Sequence, residues 1–208
     1  MKRRLPVVTE NALGCIKAAQ IKTAQEFDLR FRLNAPTTTI TCRKECSSCC
    51  NHPFLISIAE GILLYRWLRE HRKWTPNLRR RFLETRDLVI GLSFDVWLLS
   101  DIECPCLNRL AQCSAYEARP LRCRITYSTG HSSLCRPNVL GPQTPLVPHA
   151  DAIIDFTRQS LEALRVAGVT DCSLMPLAEA VLLGELVDTG QIDIKEAEMQ
   201  FMRDLGNG

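Results

Sequence analysis

Aromatic residues make up only 6% of this 208-residue chain, and its net charge is +3, from 26 Lys and Arg against 23 Asp and Glu. A nucleic-acid-binding surface needs a concentrated basic face, usually with stacking side chains, and the composition gives little support for one. Lys and Arg do gather at 2–4, 66–81 and 119–136, a distribution that solvated helix faces explain. Long apolar runs are also missing. The two longest, Phe54–Leu68 and Leu88–Leu99, carry Glu60, Arg66 and Asp95 and fall short of the roughly 20 residues that cross a bilayer, so no membrane span is expected. Met1-Lys2-Arg3-Arg4 could open a signal peptide, but Glu10 and Asn11 interrupt the apolar segment that would have to follow. Ala12-Leu13-Gly14-Cys15 places alanine where a lipoprotein cleavage site takes an aliphatic residue, and a cytoplasmic location is expected. There is no internal repeat and no low-complexity segment. The four histidines, His52, His71, His131 and His149, form no nucleophile–base pair.

What the chain does have is cysteine, at 11 residues. Eight fall into two groups: Cys42, Cys46, Cys49 and Cys50, then Cys104, Cys113, Cys123 and Cys135. In a reducing compartment clustered cysteines are usually ligands or redox groups, with a disulfide framework as the alternative. Eight thiolates make two four-sulfur metal sites, or one iron–sulfur cluster with ligands to spare.

With 46% hydrophobic residues the chain can bury a core of its own, and a single domain over 1–208 is expected. The fold class is mainly α: five or six helices with an irregular, metal-organised cysteine-rich lobe. Leu13, Ile16, Ala19 or Gln20, Ala24, Phe27 and Phe31 share one face of a helix from Thr9 to about Leu33. Pro36 ends it, and Thr37–Thr41 leads as an extended segment into the first cysteine group. Ser57-Ile58-Ala59-Glu60 reads as a capping box opening a helix to about Lys73, because the Ser oxygen and the Glu carboxylate can each accept from the other's free amide. Thr75-Pro76 opens a third, to about Ser100, with Arg79, Arg80 and Arg81 on its exposed face and an apolar second half that should be buried. Residues 101–150 carry six prolines and no period, an irregular stretch for which metal ligation would supply order. C-terminal helices are expected over about 151–205: 151–166, stopped near Gly168, 176–187, and 193–205 with a second capping box in Asp193 and Glu196.

The first cysteine group reads Cys42-Arg43-Lys44-Glu45-Cys46-Ser47-Ser48-Cys49-Cys50. Spacers of two or three residues let the chain turn so that successive sulfurs point at one ion about 2.3 Å away. In an extended backbone Cys49 and Cys50 would point apart, so the pair should grip two metals of one compact centre or serve two separate ones. Cys42, Cys46 and Cys49 also match the spacing of the radical-SAM signature. Ser48 stands where that signature has an aromatic residue, and the necessary strand–helix units are missing. In the second group, five arginines and one acidic residue, Glu117, lie between 104 and 136. Guanidinium groups can offset the negative charge of a thiolate-ligated centre through N–H bonds to sulfur, which assigns Arg119 and Arg124 to the surroundings of the cofactor; solvation of the loop is the alternative. His52 could ligate or donate to a sulfur, and Cys15 and Cys172 read as packing residues on helices.

Cys-x3-Cys-x2-Cys-Cys, followed by Cys104-Pro105-Cys106-Leu107, then Cys113-Ser114-Ala115-Tyr116-Glu117-Ala118-Arg119-Pro120-Leu121-Arg122-Cys123-Arg124 and Cys135, resembles the YkgJ-type cysteine-cluster family. The resemblance covers about residues 42–136 and fills all eight cysteine positions of a domain described as zinc- or iron-chelating. It implies metal ligation by Cys42, Cys46, Cys49, Cys50, Cys104, Cys113, Cys123 and Cys135. Cys106 stands where the family usually has a bulky apolar residue, so it reads as a packing residue, with a spare ligand as the alternative. The Cys42–Cys46 spacer is one residue longer than in many relatives. A similar cluster occurs in flagellin lysine methylases, but this chain has no recognisable nucleotide-binding segment, and methyl transfer does not carry over.

The expected function is that of a metal-chelating protein holding an iron–sulfur cluster, 4Fe-4S in type, or zinc, in a structural, redox or sensing role. The other reading is a metal-dependent enzyme with one open coordination position. A protein partner stays open.

Overall fold

The structure is a computed structural model, and the description covers residues 10–34, 42, 45–126, 158, 162 and 173–206. The chain is mainly helical, with one small sheet. Its helices are α1 (Glu10–Asn34), α2 (Ile58–Glu70), α3 (Pro76–Val89), α4 (Phe94–Leu99), α5 (Leu121–Arg124), α6 (Leu177–Asp188) and α7 (Ile194–Gly206), with a 3-10 turn at Tyr116–Ala118.

Two short strands, β1 (Leu55–Ser57) and β2 (Leu174–Pro176), pair antiparallel with Ile56 opposite Met175, both fully buried. Each strand runs directly into a helix, β1 into α2 and β2 into α6, so one short ladder sets the starting points of the two central helices. Those helices pack tightly because glycines meet at the crossing, Gly61 against Ala180 and Gly184 against Ile62. Around them gather Leu13 and Ile16 of α1, Phe82 of α3, Val181 and Leu183 of α6, and Phe201 of α7. The α1 face predicted from spacing is present at Leu13, Ile16, Ala19 and Gln20; the side chains of Phe27 and Phe31 lie outside the described set. Cys15, read as a packing residue, is instead exposed, just off the edge of the buried stripe formed by Ala12, Leu13, Ile16, Ala19 and Gln20. Cys172 and the extended segment 37–41 lie outside the described residues, as do 151–166 apart from the helical Arg158 and Glu162.

Both predicted capping boxes are formed. The Ser57 Oγ accepts from the Glu60 amide at 3.3 Å, and the Glu60 carboxylate accepts from the Ser57 amide at 3.1 Å. Asp193 and Glu196 do the same at 2.8 and 2.9 Å. α2 stops at Glu70, three residues short of the expected Lys73, where the chain turns through Arg72 at a φ of 54°.

The expected helix from Pro76 to Ser100 is two helices. Gly91 sits at a φ of 79°, a left-handed conformation that glycine adopts at no steric cost, and Ser93 then caps α4 by accepting from the Val96 amide. The turn also overturns the expected burial: Trp97 points inward, whereas Leu88, Phe94, Val96 and Leu99 are exposed. The basic face of α3 is only partly solvated. Arg79 pairs with Glu185 of α6 at 2.7 Å, Arg80 stays at the surface, and Arg81 donates to the Leu107 carbonyl in the cysteine-rich lobe.

Charged groups join the helices where apolar contact ends. Asp188 at the end of α6, almost wholly buried, accepts from Arg66 and, at 2.8 Å, from Arg69; Arg66 also reaches Glu10 of α1 at 2.7 Å. Glu179, in the first turn of α6, is buried with Oε2 lacking a hydrogen-bond partner among the described residues. Burial pushes its carboxyl up to about 7, against the pull of Arg86. A folded-state pKa above the unfolded value of 4.5 means that the fold holds this proton more tightly, so the contribution is favourable at acid pH and declines as pH rises from about 4.5 to 7. Glu179→Gln should therefore gain stability over wild type across that window and level off above it. Urea unfolding midpoints at pH 5, 6, 7 and 8 would show the difference widening, and a constant difference would contradict it.

Candidate metal centre

The first cysteine group is folded by consecutive turns, with the Cys50 amide donating to the Ser47 carbonyl at 2.8 Å and the His52 amide to Cys49 at 3.1 Å. The small serines between Cys46 and Cys49 let the backbone make this reversal. The second group starts against the first: the Cys104 amide donates to the Cys50 carbonyl at 2.8 Å, and Asn51 is hydrogen-bonded to Asp101. Two stretches separated by some fifty residues of sequence are thus stitched backbone to backbone at their cysteines.

Beyond Cys104 the chain makes a turn through Pro105 and Cys106, closed by the Leu107 amide on the Cys104 carbonyl at 3.1 Å. An isolated bridge between Leu107 and Cys113 brings the chain back. The 3-10 turn and α5 then carry Arg119 and Cys123 inward.

The result is one cavity of about 40 Å³ lined by seven cysteines, Cys46, Cys49, Cys50, Cys104, Cys106, Cys113 and Cys123, together with Tyr116 and Arg119. Its apolar walls include Phe54, Leu64 and Leu177. That volume is room for about three water-sized spheres, enough for an inorganic centre and too little for most organic ligands. Cys42 lies among the described residues but does not line the cavity, and Cys135 lies outside them, as do His131 and His149. His52 is not on the cavity wall either; its ring stacks against Phe54 at 6.4 Å between centroids. None of the described cysteines is in a disulfide. Among the described residues no three His, Cys, Asp or Glu side chains are already grouped as a coordination shell, so capture of an ion would require the thiols to turn toward it.

The electrostatics of the cavity show why it would want a cation. A hydrogen bond from Cys50 lowers the Cys49 thiol to about 7, against burial, and Arg119 assists. The same bond, with burial, raises Cys50. Cys104 is lowered by its hydrogen bond with Cys106 and helped by Arg81, while Cys106 is raised. Burial raises Cys113 to about 11 and pushes Cys123 up as well, and neighbouring thiolates add to both. In this desolvated group each thiolate opposes ionisation of the next, and a bound cation is the natural way to hold several in the charged form.

The two arginines assigned from sequence take different positions. Arg119 lines the cavity, lies 3.9 Å over the Tyr116 ring, and buries an Nε–H with no hydrogen-bond partner among the described residues. A thiolate or sulfide in the cavity is a suitable acceptor for that N–H. Arg124 points back along the chain, donating to the Arg119 carbonyl at 2.7 Å and to the Glu117 carbonyl, and so braces the turn that presents Arg119.

Two residues that matter to this site were not recognised from sequence. Arg81, read as surface charge, crosses to the lobe; its place between Leu78 and Phe82 on the buried side of α3 was the available signal. Glu60, read only as a helix cap, also accepts from Gln20 of α1 at 2.8 Å and from the Leu121 amide at 2.9 Å. This fully buried carboxylate anchors α5, the element bearing Cys123, to the helical core. Nothing local in the sequence could have shown that.

A helical scaffold closing two cysteine stretches around one small cavity defines a cysteine-cluster protein. Residues 41–140 match the model of the CxxCxxCC family, described as a "putative zinc- or iron-chelating domain". That stretch, a little under half of the chain, is similar to the YkgJ-type cysteine-cluster family. No curated protein and no solved structure matches it significantly.

Proposed function

We propose that this chain is a metal-binding protein whose cysteine cavity holds a polynuclear thiolate centre, an iron–sulfur cluster of the 4Fe-4S type first and a zinc–thiolate centre second. The observation that carries this reading is that seven cysteines, six from the two cysteine groups together with Cys106, line one cavity. One tetrahedral ion takes four sulfurs, so seven favour more than one metal atom. Cys49 and Cys50, adjacent in sequence, both face this cavity, which favours one compact centre over two separate ones. Cys46, Cys49, Cys50, Cys104, Cys113 and Cys123, with Cys42 and Cys135 completing the family's eight, would supply the ligands, of which one 4Fe-4S cluster takes four. Arg119 would donate to sulfur, and Arg124 would hold Arg119 in place. Bound there, the centre would supply structural cross-linking of the two stretches and, if iron–sulfur, one-electron redox chemistry.

Protein purified without oxygen should be coloured, with broad visible absorption and matching iron and sulfide. A colourless sample with two zinc ions would replace the iron–sulfur assignment by zinc. Cys49→Ser and Cys123→Ser should each lower the metal-to-protein ratio, whereas Cys15→Ser and Cys172→Ser should leave it at the wild-type value. Equal loss across all four would remove the ligand assignment.

One observation favours the second reading, an enzyme with an open coordination position. A polar cavity of about 280 Å³, lined by Glu45, Lys73, Asn108, Gln112 and Glu117, shares Cys113 and Tyr116 with the thiol cavity. A small polar molecule there would lie against the same wall as the centre, as substrate access to a metal requires. A catalytic centre would give a spectrum or relaxation rate that responds to small-molecule additions, and a closed one would not.

A further inference from the structure

We propose that Cys106 is itself a ligand of the centre, so that this chain grips its metal with a Cys104-Pro105-Cys106 pair. The inference rests on the metal-binding reading above and adds a residue that the eight-cysteine pattern leaves out. Three features of the fold place it there. The turn closed by the Leu107 amide on the Cys104 carbonyl puts both cysteines on the same cavity wall. The backbone of Cys106 is fixed, since its carbonyl accepts from both the amide and the hydroxyl of Ser114 at 2.8 Å. The residue is only 2% exposed and shares the cavity lining with Cys104, Cys113 and Cys123.

A packing cysteine occupies its site as a small hydrophobe and needs only carbon around it. Cys106 has the low exposure of such a residue, but the cavity it opens on is lined by six other cysteines. Ligand spacings shorter than two intervening residues are strained on a helix or an extended strand. Here the proline turn removes that objection, because it reverses the chain between the two sulfurs.

The test uses the full chain purified without oxygen, reconstituted separately with zinc and with ferrous iron plus sulfide. It compares wild type, Cys106→Ser, Cys106→Val, Cys104→Ser and Cys15→Ser. The measurements are metal-to-protein ratio, rate of metal release to a chelator, and number of sulfur neighbours per metal by X-ray absorption. Cys106→Ser and Cys106→Val should both lose sulfur neighbours and release metal at least about tenfold faster, as Cys104→Ser does, while Cys15→Ser matches wild type. Val preserves apolar packing, so it separates the ligand role from a folding defect, with circular dichroism of the metal-free forms as the check. Two results overturn the assignment. In one, metal content and release are unchanged in Cys106→Val. In the other, release is faster but the sulfur count is intact, which would make Cys106 a positioning residue for Cys104. If the wild-type chain takes up neither metal, the reading of the whole cavity fails, and this assignment with it.

Discussion

Glu60→Ala should destabilise the protein by about 3–5 kcal/mol and loosen the metal at the same time, because this change leaves several buried donors without an acceptor. The carboxylate accepts from the Leu121 amide, the Gln20 side-chain amide, and the amide and hydroxyl of Ser57, all in the interior. Burial raises its pKa, and these hydrogen bonds pull in the opposite direction. Removing the side chain does not return the donors to water. Each buried orphan costs about 1 kcal/mol or more, and the α2 cap is lost with them. Glu60→Gln should cost less, since one oxygen still accepts, although its amide group would face donors. The consequence for the site follows from Leu121, which stands two residues before Cys123 on α5. With its amide released, α5 can shift and Cys123 loses its fixed approach to the cavity. Urea unfolding of metal-free protein would measure the first effect and chelator-driven metal release the second. A midpoint and release rate equal to wild type would show that Glu60 does not anchor this lobe.

Gly61→Ala should be of comparable size, about 3 kcal/mol or more, despite replacing glycine by the best helix former. A Cβ at position 61 would lie 2.1 Å from the Ala180 carbonyl oxygen and 2.4 Å from its carbon. Those atoms are backbone of the facing helix, so relief requires α2 and α6 to move apart along their whole contact. Alanine's helix propensity returns only about 1 kcal/mol. Gly184→Ala should behave similarly, because its Cβ would meet the Ile62 amide nitrogen at 2.7 Å. Gly14 on α1 is the internal control. Nothing lies within 4 Å of a Cβ there, so Gly14→Ala should be neutral or stabilising by up to about 1 kcal/mol. If Gly61→Ala and Gly14→Ala shifted stability in the same direction, the close crossing would be wrong. β1 leads straight from Phe54, on the cavity wall, into α2, so separation of α2 and α6 should also disturb that wall.

The helix caps were legible in the sequence because a cap is a local device. Ser57 with Glu60 and Asp193 with Glu196 satisfy each other's free amides within one turn, Thr75 accepts from the Leu78 amide beside Pro76, and the structure forms all three at those residues. The apolar stripe of α1 was legible for the same reason: residues three and four apart share a face wherever a helix lies. The Gly91 turn was missed because hydrophobicity alone was read across Leu88–Leu99, although Gly91 and Ser93 together carry a stop and a start. Leu88, Phe94, Val96 and Leu99 consequently face outward.

By itself the sequence determined that this is a mainly helical chain with a cysteine-cluster region, because residue type and spacing specify helices, caps and thiol ligands over a few residues at a time. Only the tertiary structure decided that Cys50 and Cys104 meet through their backbones, that Cys106 joins the cavity while Cys15 stays outside, and that Glu60 ties α5 to the core. These are pairings between residues far apart in the chain, chosen by burial and by the need of each buried donor for an acceptor, and no local pattern encodes which partner that will be.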